Sequence, residues 1–192
     1  MQKTTACELN LRKADRQDSA FLLSVRNLPE VRAQSKTQEI IIESIHATWF
    51  DAQLSNPGVG IWILEHQGHR EGYVRAQEIA SGRWLLSIAL QTSSQGKGYG
   101  TWAIREGCRL LEEQYGARSI VAEVLTQNTV ARRLFQGTGF VEKGVERERG
   151  LEVARFELNA RERRPSAQTQ KGADEVAPFS NGNNEKGDSG RG

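Results

Sequence analysis

The stretch "QGKGYG", residues 95–100, sets glycine at every second position between an apolar run, "WLLSIAL", and a helical pattern, "TWAIREGCRLLEEQY". Glycines just ahead of a helix let successive backbone N–H groups converge, and the helix N-terminus adds partial positive charge. With Lys97 strengthening the field, such a loop is an anion site. A glycine turn that holds no ligand is the plain alternative. A Walker A loop is ruled out: it needs G-x-x-x-x-G-K-[ST], whereas Lys97 is followed by Gly98 and the first glycine is missing. "GYGTWA" does satisfy the dinucleotide pattern G-x-G-x-x-A from Gly98 to Ala103. That pattern, however, follows its strand directly within a series of βαβ units. Here residues 91–97 intervene, and the chain has a single crossover unit.

The elements that must position this loop follow from hydrophobic periodicity. "CELNLRKA" alternates Cys7, Leu9 and Leu11 on one face and predicts a first strand. "DRQDSAFLLSVRNLPEV" predicts a short helix led by Asp15 or Asp18 and stopped before Pro29. "IIIESIHATWFDAQL" predicts a second, with Ile41, Ile45 and Trp49 on a buried stripe. Three β-like runs follow, "GIWILEH", "GYVRAQEIA" and "RWLLSIAL", separated by turn chemistry. After the loop, Gly100, Ile104, Cys108, Leu111 and Tyr115 line one face of a helix, while Arg105, Arg109, Glu112 and Glu113 face out. "SIVAEVL" is then a strand, "NTVARRLFQGTG" a short helix, and "FVEKGV" and "LEVARFELN" are terminal strands. The order β-α-α-β-β-β-α-β-α-β-β predicts an α+β domain with one central, mostly antiparallel sheet and a single parallel pair at the crossover.

At 192 residues the chain suits one domain plus a tail. Past residue 160 the composition turns to Gly, Asn, Ser and charge, which cannot offset its ordering entropy. The expected division is therefore a domain over 5–160 and a disordered tail over 161–192. The two cysteines, Cys7 and Cys108, fit no zinc or redox spacing, which suits a reducing compartment. The N-terminus lacks the apolar segment of a signal peptide, and no run is long enough to span a bilayer. A cytoplasmic protein is expected. The net charge of +2 is too evenly spread for a nucleic-acid partner, "RERR" at 161–164 notwithstanding.

A second motif lies about thirty residues beyond the loop. "Q-G-K-G-Y-G" matches (Q/R)-x-x-G-x-(G/A) at Gln95, Gly98 and Gly100. In "EVLTQNTVARRLFQGTGF", Asn128, Ala131, Leu134, Phe135, Gly139 and Phe140 fit N-x-x-A-x-x-L-(Y/F)-x-x-x-G-F. The pair, at this spacing and in this order of elements, resembles the GNAT acyltransferase superfamily over about residues 7–158. Within it, "VRNLPEVR", "HATWF" and "GYVRAQ" resemble the branch that N-acetylates amino groups on nucleotide-linked deoxy-sugars, as in pseudaminic acid assembly. Ribosomal-protein acetyltransferases share similar "WRN"-like openings.

The resemblance implies a GNAT-like sheet, splayed at its one parallel pair and flanked by about four helices. It also implies acetyl-CoA as co-substrate and no metal. The CoA pyrophosphate would rest on the loop formed by Gln95, Gly96, Lys97, Gly98, Tyr99, Gly100 and Thr101. The pantetheine arm would run between strands 83–90 and 119–124, with the backbone N–H near Leu90 polarising the thioester carbonyl. Asn128 would bond the pantetheine or cap helix 129–137. Phe135 departs from the pattern, since many relatives carry there a tyrosine credited with protonating the departing thiolate. Losing such a group costs on the order of 10²–10⁴ in rate, although a thiol pKa of about 8.5 makes thiolate a tolerable leaving group. Strand 83–90 also lacks the carboxylate common in relatives; Ser87 is its only internal polar residue.

An acceptor amine must be neutral to attack, so a base or water relay is expected beside it. Glu123 and Glu78, on strands flanking the cleft, and His46, beside Trp49, are the candidates. Each also has an ordinary alternative as a surface charge or surface histidine. Arg26, Asn27 and Arg75 are candidates for gripping a phosphate or sugar hydroxyl, with Trp49 as a further acceptor contact; surface ion pairing is the alternative for the arginines. The expected activity is N-acetylation of a primary amine by direct attack, on a small-molecule acceptor such as a nucleotide-linked amino sugar, by a monomer or homodimer. The rivals are acetylation of a protein N-terminus and a non-catalytic acyl-CoA-binding module.

Overall fold

The computed structural model describes residues 9–159. Cys7 and the tail expected from residue 161 lie outside the described residues. Seven strands form one sheet: β1 (Leu9–Lys13), β2 (Val59–His66), β3 (His69–Ala80), β4 (Arg83–Leu90), β5 (Ser119–Leu125), β6 (Val141–Glu148) and β7 (Leu151–Asn159). Their order is β1-β2-β3-β4-β5-β7-β6. Among the described residues only β4 and β5 run parallel, joined by the crossover through α4 (Tyr99–Tyr115).

Strand alternation sends side chains to two separate cores. On one face, Val74, Ala76, Trp84, Leu86, Ala122 and Val124 pack with α4 and with Phe135 of α5 (Thr129–Gly137). On the other, Ile61, Ile63, Tyr73 and Ala89 pack under α1 (Ser19–Arg26), α2 (Pro29–Ala33) and α3 (Glu43–Leu54). A polar knot ties the start of this layer to the sheet. Buried Asp18 accepts both terminal nitrogens of Arg12, at 2.7 and 2.8 Å, and the Asp15 N–H at 2.9 Å. Burial opposes ionisation of this carboxyl, but Arg12, the Asp15 N–H and Arg70 prevail and hold it below its ordinary range.

The structure adds to two sequence expectations and corrects a third. Asp18 stands at the N-cap of α1, one of the two places expected, and Asp15 caps a single 3₁₀ turn, Arg16–Asp18, ahead of it, its carboxylate accepting from the Gln17 N–H. Pro29 does not merely stop a helix but starts α2, where its missing N–H leaves no helical bond unmade. The buried stripe of α3 is His46 and Phe50, not Ile41, Ile45 and Trp49. Ile45 is 61% exposed and Trp49 38% exposed. Both rows have i, i+4 spacing, so periodicity alone could not choose between them; contact with α1 and β2 did.

Candidate functional site

β4 and β5 pair only at Arg83–Ser119, Trp84–Ile120 and Leu85–Val121, though both strands continue for several residues. Beyond that point they part, while β3 and β7 remain bonded to their outer edges. N–H groups alternate in direction along a strand. Because the Gln91 N–H bonds back to the Glu71 carbonyl at 2.9 Å, the Leu90 N–H points into the gap. An amide-bearing chain laid there would meet unpaired backbone groups on both sides.

The glycine loop closes the end of this gap. Gly96 and Gly98 have φ of +73° and +80°, a conformation costly for any residue with a Cβ, and Gly98 is the N-cap of α4. A helix's first turn of N–H groups has no acceptor within the helix, so the α4 terminus adds donors and partial positive charge. Gly100 is buried, and a Cβ there would lie 3.1 Å from the Leu134 side chain and 3.6 Å from that of Leu90. Lys97 hangs over the Tyr99 ring, with Nζ 5.7 Å from its centroid, and the Tyr99 hydroxyl lies 3.1 Å from Nδ1 of His66. Gln95 and Lys97 are exposed and Thr101 is half-buried. Asn128 caps α5, its Oδ1 accepting from the Ala131 N–H at 3.0 Å. Phe135 is 3% exposed and wedged edge-on against Phe140, with ring centroids 5.1 Å apart.

On the α1–α3 side of the sheet, one row crosses the strands. Arg75 of β3 pairs with Ser87 of β4, and Glu123 of β5 pairs with Arg155 of β7. Continuing the β4–β5 register sets Glu123 level with Ser87. The sequence left the facing of Glu123 open; Ala122 and Val124 belong to the α4 core, so Glu123 turns to the other side. There its carboxylate meets Lys36 Nζ at 2.5 Å and Arg155 at 3.4 Å, and Lys36 also reaches Glu148 at 3.0 Å. Burial works against the Lys36 charge, but the hydrogen bonds it donates to Glu123 and Glu148 outweigh that and raise its pKa. Sequence reasoning missed Lys36 and Glu148. No local signal marks them, because Lys36 stands 87 residues from Glu123 and 112 from Glu148.

The other candidates separate. Glu78 lies at the far end of β3, paired with Trp84, where its carboxylate accepts the Gly82 N–H at 2.8 Å and closes the β3–β4 hairpin. Six residues of β4 separate that pairing from Leu90, roughly 20 Å at strand rise. His46 is 4% exposed, faces inward, and lies 3.2 Å from the Ser19 hydroxyl and stacked on Phe50. Its burial depresses its pKa below the ordinary value of 6.5. Asn27 uses both ends of its amide on Ile41, donating to the carbonyl and accepting the N–H, each at 2.9 Å. Arg26 donates to the Thr37 carbonyl at 2.7 Å. Arg75 lies over the Trp49 ring, 5.5 Å from its centroid. Arg26, Trp49, Arg75 and Glu123 therefore share one face, whereas Glu78 and His46 stand apart from it. Among the described residues no cluster of His, Cys, Asp and Glu is arranged to hold a metal, and no helix is long and apolar enough to cross a membrane.

The family model for the acetyltransferase (GNAT) domain matches residues 8–141. No curated protein sequence matches significantly. Among solved structures, the spermidine N-acetyltransferase from Vibrio cholerae in complex with CoA and spermine superposes with a TM-score of 0.73. Its identity is 20%, and the match covers 79% of this chain and 95% of that one. An aminoglycoside acetyltransferase in complex with coenzyme A gives a TM-score of 0.70 at 18% identity, covering 80% and 96%. A putative phosphinothricin N-acetyltransferase gives 0.69 at 19%, covering 79% and 98%. At these identities the structural matches speak for the fold.

Proposed function

The chain belongs to the GNAT acetyltransferase family, an N-acetyltransferase with acetyl-CoA as co-substrate, and on that premise we propose how its own residues hold the two substrates. The observation that carries the reading is the β4–β5 pairing that ends at Leu85 and Val121, in line with the glycine loop at the start of α4. The loop from Gln95 to Thr101 holds the pyrophosphate, and the pantetheine amides bond to the free edges of β4 and β5. The Leu90 N–H faces the thioester oxygen and stabilises the oxyanion that forms when the amine attacks. Asn128 steadies the loop ahead of α5 by its cap. The thiolate leaves without an acid from Phe135, whose ring has no proton to give and is packed into the core.

The acceptor enters from the α1–α3 side, where Ser87 and Glu123 form the floor. Glu123 is the carboxylate positioned to hold the acceptor's ammonium, taking it in exchange for Lys36 and passing its proton to water before attack. Glu78 and His46 take no part. The finer reading, an amino group on a nucleotide-linked sugar, rests on the resemblance carried by "VRNLPEVR", "HATWF" and "GYVRAQ" and is compatible with Trp49 and Arg75 at the entrance. The solved relatives differ widely in acceptor, so the fold does not choose one.

The test is free-thiol release from acetyl-CoA with a panel of amino-sugar nucleotides, polyamines, aminoglycosides and N-terminal peptides, alongside the Gly98→Val variant. Turnover on an amino-sugar nucleotide supports the finer reading, and turnover on peptides alone replaces it with the N-terminal one. Tight acetyl-CoA binding with no turnover on any amine leaves a binding module. Gly98→Val should lose CoA binding while keeping its fold, because a β-branched residue is strained at φ +80° and nothing lies within 4 Å of the added Cβ. Undiminished binding would sink the assignment of the loop.

A further inference from the structure

Two arginines on the acceptor side carry charge that no carboxylate neutralises among the described residues. Arg75 gives its Nη2 to two neutral amide oxygens, Gln53 at 2.8 Å and Gln77 at 2.9 Å. Arg26, at the end of α1, gives its Nη2 to a neutral carbonyl. Each keeps one buried nitrogen without a hydrogen-bond partner, Nε of Arg75 and Nη1 of Arg26. Arg32 and Arg118 also bond only carbonyls but keep no buried nitrogen without a partner, and Arg132, which does keep one, meets the carboxylate of Glu142. Both guanidinium groups belong to the Tyr73 neighbourhood: Arg75 stands two residues from Tyr73 on the same face of β3, and Arg26 follows Val25, which packs in one core with Tyr73. Their charges also oppose the rise in the Tyr73 pKa that burial causes.

Half-buried like charges repel, and buried N–H groups without acceptors lose the hydration they would keep in water. An oxyanion between them removes both penalties, and guanidinium is the side chain best shaped for it. The opposite charge lies along the same row, where Glu123 and Glu148 surround the Lys36 ammonium. One strand spacing separates Arg75 from Ser87 and the opened β4–β5 gap separates Ser87 from Glu123, so Arg75 and Glu123 stand more than two paired spacings, about 10 Å, apart at the backbone. The face thus has a cationic pole at Arg75 and Arg26, and an anionic one where Glu123, Glu146 and Glu148 share two cations, Lys36 and Arg155.

Resting on the acetyltransferase reading above, we propose that Arg75 and Arg26 form an oxyanion subsite, so that the acceptor is an amine that also bears a phosphate or carboxylate group. The amine lies at Glu123 and the oxyanion between the guanidinium groups, with the acceptor's body against Trp49. A polyamine, cationic along its whole length, is disfavoured by the same two charges.

The test uses the full chain saturated with CoA, which fills the cofactor's own phosphate sites. Glucosamine, glucosaminic acid and glucosamine 1-phosphate share an amine and differ in their anion, and spermidine serves as the cationic probe; binding is read by calorimetry. At least one anionic sugar should bind tenfold or more tighter than glucosamine and spermidine, and which one does identifies phosphate or carboxylate as the ligand. Arg75→Gln and Arg26→Gln should each reduce that preference at least fivefold with CoA affinity unchanged. Equal affinity for charged and neutral sugars, stronger binding of spermidine, no binding of any anionic probe, or a preference surviving both substitutions would overturn the subsite. Failure of CoA itself to bind the unaltered chain would instead overturn the reading on which it rests.

Discussion

His46 illustrates how a residue with catalytic chemistry can serve packing instead. Its ring is stacked on Phe50 and its Nδ1 lies against Ser19, inside the layer that covers the sheet. Burial favours the neutral ring, so its folded pKa lies below 6.5. Below about pH 6.5 the unfolded chain takes up a proton that the folded chain resists, so stability falls as pH drops toward the folded value. The melting temperature should therefore decline between pH 7 and pH 5. His46→Gln should flatten part of that decline; an unchanged pH slope in the variant would show that the ring titrates freely. Residue types alone made His46, Glu78 and Glu123 equal candidates, because nothing local distinguishes a histidine that faces a cleft from one that faces a neighbouring helix.

At the scale of elements, the segment 34–42 between α2 and α3 carries no regular structure yet is tied at several points. Arg26 holds the Thr37 carbonyl, Arg32 the Gln38 carbonyl at 2.9 Å, and Asn27 both backbone groups of Ile41. Lys36 carries the segment across to β5 and β6. The amide of Asn27 thus replaces a pair of backbone bonds and is not open to a substrate. Asn27→Ala should cost about 1–3 kcal/mol for two lost hydrogen bonds, read as a lower urea midpoint, and should speed proteolysis within 34–42. A variant of unchanged stability with a raised acceptor KM would instead make Asn27 a substrate ligand. The strands and α4 were legible because their alternation and 3.6-residue periods extend over many residues. The buried face of α3 was not, since Ile41–Ile45–Trp49 and His46–Phe50 offer equally spaced rows and only the neighbouring elements select between them.

At the scale of the molecule, the sheet divides two cores, and each substrate side belongs to one of them. In the proposed reading the CoA loop stands on the α4–α5 core and the acceptor face on the α1–α3 layer, with the gap between β4 and β5 joining them. Cofactor bound only by the folded state should stabilise the whole domain. CoA at 100 times its dissociation constant contributes about 2.7 kcal/mol, an increase of about 5–10 °C in melting temperature for a domain of this size. No shift at saturating CoA would mean that the gap does not receive it. The amino-acid sequence by itself determined the donor side: the loop, the crossover around it and the motif at Asn128–Phe140 are continuous stretches whose chemistry depends on local spacing. Only the tertiary structure decided the acceptor side. Lys36 meets Glu123, and Arg26 and Arg75 come to one side of the sheet, through the packing of the segments 19–54 over it, and such placements of residues far apart in the chain leave no periodicity or spacing to read.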